Sequence, residues 1–277
     1  MDFLVSKRKK NIPLPQLAPD IFVVDTHCHL DMAAYDDCRQ VIERAMSAGV
    51  SNILSVGIDL ASSKAALALA EEFPCVYCAV GIHPHHVVGV EEWQYQELAD
   101  LARHPKVKAY GEIGLDYARD YAPHDAQIRH FERQVALAIE LSLPVIIHDR
   151  GAHAEVMAIL TAAQPMPAGG VMHCYSGGLE LAVAAIEFGF YMSIPGVVTF
   201  GKAETLHEVA RSLPLESLLI ETDGPYLAPE PFRGKRNEPA YILYTAAKIA
   251  ELRGLSIDAV ARQTSLNAMR LFGFTDK

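Results

Sequence analysis

Two histidines separated by one residue end an apolar stretch near the start of the chain, in the segment VVDTHCHLD at residues 23–31. Side chains alternate along a β-strand, so Asp25, His27 and His29 are expected on one face. Two imidazoles on one face can bind a single metal ion. The segment is therefore either one side of a metal site or a polar strand end whose histidines hydrogen-bond to nearby loops.

Further ionisable side chains follow other apolar runs along the chain. They are His83, Glu112, His148, His173 and Asp223. An unpaired ionisable side chain is costly at such a position. In an α/β barrel the carboxyl ends of the strands meet at one face, and that face carries the chemistry. We therefore expect these residues to converge with the two histidines of the first segment.

The donor set indicates two divalent ions. His83 is left out of the ligand set because it precedes a proline. The other four histidines and the two carboxylates are too many ligands for one tetrahedral ion with an open position. Glu112 is the natural bridge, because each of its carboxylate oxygens can bind one ion. Two such ions can lower the pKa of a shared water and stabilise a developing oxyanion. Asp223 could bind one ion and also accept the proton of the attacking water.

Eight short β-rich runs alternate with amphipathic stretches and should position these residues. The predicted strands are residues 21–25, 51–57, 75–81, 107–114, 144–148, 170–174, 190–194 and 217–223. The last unit is completed by a helix over 239–253, and one extra C-terminal helix is expected over 256–271. The alternation predicts an α/β fold, a (β/α)8 TIM barrel. An open doubly wound sheet is the alternative, but no G-x-G-x-x-G motif follows the first strand.

Composition indicates one globular domain. Of 277 residues, 51% are hydrophobic and 21% charged, as in proteins that form a packed core. We expect residues 21–277 to form the barrel and residues 1–20 to be an N-terminal extension. The extension carries a basic run at residues 7–10, which is either a solvated tail or a nucleic-acid contact. No apolar run reaches the roughly 18 residues that a membrane span needs.

Charge and cysteine content indicate how a substrate could be held and in which cellular compartment the protein is expected. The net charge of −10 provides no protein-wide basic field, so a nucleic-acid substrate would be held by bound cations and a few local basic residues. The five cysteines are scattered, with no disulfide framework, and the first residues lack the apolar core of a secretory signal. These features predict a cytoplasmic location.

Seven segments of the chain occur in the order found in the TatD family of metal-dependent deoxyribonucleases, within the amidohydrolase superfamily. They are DTHCHLD, GIHPH, GEIGLDY, IHDR, HCYSG, ETDGPYL and RNEP. The chain resembles this family from about residue 24 to residue 272. It departs from the family pattern at Asp149, where many members carry Ser or Thr, and at Tyr175, where Phe is commoner.

The resemblance implies a role for each site residue. His27, His29 and Asp223 would hold one ion, and His148 and His173 would hold the other. Glu112 would lie between the two ions. His83 resembles the histidine that contacts substrate near the scissile phosphate, its alternative being a turn residue before a proline.

The resemblance also implies a metal-dependent hydrolase, most simply a deoxyribonuclease that acts on DNA ends. Arg236, with Arg233 and Lys235 beside it, could bind backbone phosphates, or Arg236 could form an internal ion pair, for instance with Glu238. One alternative is hydrolysis of a carbon centre, such as an amide, a lactone or an aminoacyl-tRNA ester, although many superfamily amidohydrolases place a lysine where this chain has Glu112. Another is a metal-binding partner protein without turnover. Imidazoles favour zinc, whereas carboxylates and phosphate substrates suit magnesium or manganese.

Overall fold

Eight strands alternate with helices over residues 12–274, which are the residues that the computed structural model describes. The strands are β1 (Val23–Cys28), β2 (Val50–Val56), β3 (Val76–Val80), β4 (Val107–Asp116), β5 (Val145–Arg150), β6 (Gly170–Met172), β7 (Phe190–Ile194) and β8 (Leu218–Ile220). The helices are α1 (Cys38–Ser47), α2 (Leu60–Glu72), α3 (Glu92–Ala102), α4 (His124–Leu141), α5 (His153–Ala162), α6 (Leu179–Glu187), α7 (Glu204–Ser212), α8 (Ile242–Arg253) and α9 (Ile257–Phe272). Each predicted strand is present; β7 has its predicted bounds, and the other strands are shifted at one or both ends by one to three residues.

The strands form a nearly closed parallel barrel in the order β1 to β8. The seam between β8 and β1 is closed by residues that follow β8. The Asp223 N–H donates to the His27 carbonyl oxygen (2.9 Å), and the His29 N–H donates to the Gly224 carbonyl oxygen (2.7 Å). The predicted (β/α)8 TIM barrel is therefore confirmed, and the open doubly wound alternative is wrong.

An apolar cluster fills the barrel interior at the end away from the polar strand ends. Val24, Leu54 and Leu219 contribute to it from three strands, and all three are buried. Phe272, at the end of α9, and Phe274 pack against the same cluster. The extra C-terminal helix thus supports the barrel core, which is a packed interior and not a pore.

Two strands contain a β-bulge where a predicted site residue lies. The register of β4 with β5 shifts between Tyr110 and Ile113, which flank the position of Glu112. The register of β1 with β2 shifts just before Cys28, at the position of His27. A bulge inserts one residue and re-aims the neighbouring side chain, and bulges are frequent next to active sites. Both strands therefore depart from regular pairing at the point where chemistry is expected.

The close approach of β4 to β5 requires glycine at position 114. Gly114 has φ of +143°, and a Cβ built on it would lie 2.0 Å from the His148 carbonyl oxygen. No side chain fits at that distance, because the obstructing atom belongs to the backbone. Gly114 therefore allows β5 to bring His148 alongside β4.

Residues 12–20, the described part of the predicted extension, lie against the last two helices. The Ala18 N–H donates to Asp258 Oδ1 (3.0 Å), and the Tyr244 hydroxyl donates to the Pro13 carbonyl oxygen (3.0 Å). The basic run at residues 7–10 lies outside the described residues. Over residues 12–274, no helix has the length and apolarity needed to cross a membrane. The cytoplasmic location stays a prediction.

The glycine constraint can be tested by substitution. We expect Gly114→Ala to lower the free energy of unfolding by about 3 kcal/mol, because the new Cβ must displace the backbone of β5. Thermal and urea unfolding measure the effect. Gly201→Ala is the matched control, since no atom lies within 4 Å of a Cβ at that position. Equal melting temperatures for the two variants would contradict the constraint.

Candidate metal centre

One oxygen of the buried Glu112 carboxylate faces the two histidines of the first segment. Oε2 lies 3.4 Å from His27 Nε2 and 3.8 Å from His29 Nε2. Asp223 closes this group, with its Oδ1 3.5 Å from His29 Nε2 and 3.9 Å from His27 Nε2. These four side chains come from β1, β4 and the segments after β1 and β8. The structure thus brings together the first predicted ligand group.

The other oxygen of Glu112 faces three different histidines. Oε1 lies 2.7 Å from His148 Nδ1, 3.4 Å from His83 Nε2 and 3.6 Å from His173 Nε2. His148 and His173 were predicted as ligands here, and His83 as a substrate contact. The structure places His83 as close to this oxygen as His173, so geometry alone leaves either of them able to complete a second ligand group with Glu112 and His148.

Backbone and carboxylate acceptors orient two of these rings. His29 Nδ1 lies 2.9 Å from the Val56 carbonyl oxygen, which can only accept, so Nδ1 carries a proton and Nε2 faces the site. His173 Nδ1 lies at an ion-pair distance of 3.1 Å from Glu221 Oε1, and this oxygen accepts the Cys174 N–H at 2.7 Å. Such outer partners fix the ring and raise its basicity as a ligand.

Asp116 plays the same part for His148 and was missed by the sequence reasoning. Its Oδ2 lies 3.2 Å from His148 Nε2 and 2.8 Å from His85 Nε2, and the carboxylate is fully buried. Glu221 was missed as well. A signal existed, because Asp116 is four residues from Glu112 in one strand and Glu221 is two residues from Asp223, spacings that share a strand face.

Burial and charge set the protonation of the centre. Burial alone would raise the pKa of Glu112, but the imidazoles of His173 and His83 and hydrogen bonds from other rings hold it well below its usual range. Glu112 is therefore ionised at neutral pH. Burial lowers the pKa of His83 to about 4, so this ring is neutral. The His85 N–H donates to His83 Nδ1 (3.1 Å), which leaves the His83 proton on Nε2, facing Glu112.

The donor atoms fit divalent cations. His27, His29 and Asp223 offer ligand atoms within 4.8 Å of one another, and so do His83, Glu112 and His148. His27 Nε2 and His29 Nε2 lie only 3.3 Å apart. Two lone pairs cannot face each other at that distance, so a proton or a cation must lie between these nitrogens. Nitrogen and carboxylate donors suit zinc and manganese.

A cavity of about 690 Å³ opens over these residues, and His29, His83, Glu112, His148 and Asp223 are among the side chains that line it. The strand ends thus form the floor of a concave site that is large enough for a substrate.

Arg236 lies apart from this cavity. Its guanidinium binds both oxygens of Asp37 (2.6 and 3.1 Å) and the Ala34 carbonyl oxygen (2.8 Å). Glu238, the ion-pair partner considered for Arg236, instead binds Arg44 (2.7 Å). A contact of Arg236 with substrate phosphate would compete with these bonds, and it stays a prediction.

A parallel barrel whose strand ends gather histidines around a buried carboxylate defines a class of protein, the metal-dependent hydrolases. Comparison with known sequences gives the family. The sequence model of the TatD-related DNases matches residues 24–273. The chain belongs to this family, as its seven sequence segments predicted.

Individual relatives agree with the family assignment. The chain is 44% identical to the uncharacterized metal-dependent hydrolase YabD of Bacillus subtilis over 249 residues, covering 90% of this chain and 98% of YabD. It is 38% identical over 245 residues to a protein of Citrobacter koseri named 3′-5′ ssDNA/RNA exonuclease TatD, covering 86% of this chain and 93% of that one. The crystal structure of YjjV, a TatD homologue from Escherichia coli, superposes with a TM-score of 0.87 at 32% identity, covering 91% and 98% of the two chains.

Protonation of the ligands predicts how metal affinity depends on pH. Burial alone would lower the pKa of His29 and of His148, but the hydrogen bonds that these rings donate to Asp223 and Asp116, together with the nearby Glu112 charge, raise both pKa values to about 9. Ions must displace these protons, so we expect apparent affinity to fall as pH decreases below 9, by about tenfold per pH unit for each protonated ligand. Calorimetric titration with Zn²⁺ or Mn²⁺ in buffers of different ionisation enthalpy measures both affinity and proton release. Constant affinity between pH 7 and 9, without proton release, would contradict the assignment.

Proposed function

We propose that this protein is a phosphodiesterase that uses two divalent ions to remove nucleotides from an end of single-stranded DNA or RNA. The observation that carries the proposal is the position of Glu112, whose two oxygens face two separate groups of histidines. The family of DNases to which the chain belongs and the exonuclease name of the Citrobacter koseri relative support a nucleic-acid substrate. A cytoplasmic setting suits such a substrate.

Divalent ions on the two sides of Glu112 would supply the Lewis-acid charge that activates a water molecule and neutralises the phosphoryl oxygens. Glu112 is the residue that would touch both ions, because it alone among the described carboxylates lies between the two groups of rings. Its ionised state at neutral pH suits that role.

Asp223 is the candidate proton acceptor. Burial alone would raise the pKa of its carboxyl, but a hydrogen bond from His29 and the nearby imidazoles hold it below the usual value, so it is ionised. The residue has φ of +54°, fixed by its N–H bond to His27 and by the Tyr226 N–H, which donates to its carbonyl oxygen. Left-handed backbone in a non-glycine residue is uncommon and clusters at functional sites. This conformation holds the carboxylate at the cavity floor, where it can take a proton from the attacking water.

His83 is the candidate donor to substrate. Its ring is neutral at pH 7 and carries its proton on Nε2, which points into the site. A phosphate oxygen that takes the place of Glu112 Oε1 as acceptor would receive this hydrogen bond. The contact orients the scissile phosphate without adding a charge.

Hydrolysis of a carbon centre is the competing activity, because the same ions would polarise a carbonyl group. The carboxylate at position 112, where many superfamily amidohydrolases have lysine, favours the phosphodiester. The third hypothesis is a metal-binding partner protein without turnover. The cavity over the ligands argues against it, because it leaves room for a substrate.

The proposal predicts metal-dependent cleavage that requires Asp223. On single-stranded oligonucleotides labelled in turn at the 5′ and the 3′ end, we expect stepwise shortening from one end that EDTA abolishes and Mn²⁺ or Mg²⁺ restores. Asp223→Asn should lower kcat by about 10² to 10⁴ with a small change in KM, because proton transfer matters in the transition state. Asp100→Asn, an exposed carboxylate outside the cavity, is the control.

Lactone and aminoacyl-ester substrates run in parallel decide between the activities. Turnover of a carbon-centre substrate without oligonucleotide cleavage would overturn the proposal. Normal turnover by metal-loaded Asp223→Asn would remove Asp223 from the mechanism while leaving the activity in place.

A further inference from the structure

Two arginines on the cavity wall have no acidic partner. Arg119 and Arg150 are exposed and line the cavity, and neither forms a salt bridge within residues 12–274. Seven other arginines of residues 12–274 form salt bridges, for example Arg129 with Asp125. The remaining four do not line this cavity. In a chain with a net charge of −10, two unpaired guanidiniums beside the metal centre indicate a site for an anion.

The backbone holds these arginines side by side. Arg150 ends β5 and is paired in register with Asp116 at the end of β4. Asp116 Oδ1 accepts the Arg119 N–H (3.1 Å), and the Tyr117 N–H donates to the Arg150 carbonyl oxygen (2.8 Å). The two arginines therefore lie at the ends of neighbouring strands, on the side of the cavity that carries His148. The carboxylate that orients His148 also anchors the loop of Arg119.

The opposite side of the cavity is apolar. Met32, Tyr226 and Leu227 line it near the seam of β8 and β1, which lies across the barrel from β4 and β5. Tyr226 is 51% exposed, and its ring centroid lies 6.3 Å from that of His29. The Tyr226 N–H donates to the Asp223 carbonyl oxygen (2.9 Å), which fixes the backbone that carries this ring relative to Asp223. An exposed aromatic face beside a nuclease site is a surface on which a base can stack.

We propose that a single strand crosses the cavity from one wall to the other, with its terminal base stacked on Tyr226 and its next phosphate bound by Arg119 and Arg150. The scissile phosphate then lies between them, over the metal centre. This inference rests on the proposed nuclease function and adds its substrate path. Guanidinium groups bind phosphate oxygens bidentately, and stacking on tyrosine tolerates any base, so the site binds strands without reading their sequence.

The path predicts that the arginines matter for an oligonucleotide and much less for a small diester. Bis(p-nitrophenyl) phosphate has a scissile phosphodiester but neither a base nor a second phosphate, so it reports the chemistry alone. We expect Arg119→Gln and Arg150→Gln each to raise KM for a single-stranded oligonucleotide by about tenfold, with a smaller effect on kcat. The double variant should lower the ratio of oligonucleotide to diester kcat/KM by about 100-fold.

Salt dependence separates a phosphate contact from a structural role. Each lost contact with a single strand should reduce the slope of log KM against log salt by about 0.7, so the double variant should lose about 1.4. Arg129→Gln, which removes a paired surface arginine, should keep the wild-type KM and slope. Arg150→Lys keeps the charge without the bidentate fork and should give an intermediate KM, so the result does not depend on one variant's folding. Tyr226→Ala should raise KM about tenfold, whereas Tyr226→Phe keeps the ring and should retain the wild-type KM.

The outcomes distinguish this inference from the proposed function. Suppose that the wild-type protein cleaves both substrates and that the double arginine variant has the same ratio of oligonucleotide KM to diester KM and the same salt slope. This result would overturn the path alone. If the wild-type protein hydrolyses the diester but does not cleave oligonucleotides, the nuclease function is overturned and the path with it. Loss of melting stability in the arginine variants with equal loss on both substrates would show a structural role and also overturn the path.

Discussion

The structure depends on one constraint, which is the burial of the Glu112 carboxylate among five histidine rings. The residue is only 3% exposed. An ionised carboxylate in that position is costly unless charges and hydrogen bonds compensate. The imidazoles that compensate it are themselves held by outer partners, such as Val56 for His29 and Asp116 for His148. Four of the five rings that stabilise the carboxylate are also the ligands expected for metal ions, namely those of His27, His29, His148 and His173.

The residues that close the barrel are also those that build the site. The Asp25 carboxylate accepts from the Thr222 hydroxyl (2.5 Å) and N–H (3.0 Å), and it is fully buried. Burial raises the Asp25 pKa to about 7, despite these hydrogen bonds. The next residue after Thr222 is Asp223, whose N–H donates to the His27 carbonyl oxygen in β1. Barrel closure between β8 and β1 and the position of the first ligand group are therefore one set of interactions.

Much of this arrangement could be predicted from the sequence. Apolar runs end in Glu112, Asp223 or a histidine, and parallel strands in a barrel must bring those ends to one face. The β-bulges could not be predicted, because register depends on the neighbouring strand as well as on the bulged one. The partner of Arg236 could not be predicted either, since Asp37 lies 199 residues away in sequence and leaves no local pattern. Asp116 could have been identified from strand alternation, but its contact with His148 depends on how β4 and β5 pair.

The central claim is that the two oxygens of Glu112 serve two different metal ions. Anomalous diffraction from crystals soaked in Mn²⁺ or Zn²⁺ tests it most directly. We expect two anomalous peaks on opposite sides of the carboxylate, one beside His27, His29 and Asp223 and the other beside His148. A single peak at full occupancy, or two peaks of which neither touches Glu112, would contradict the account.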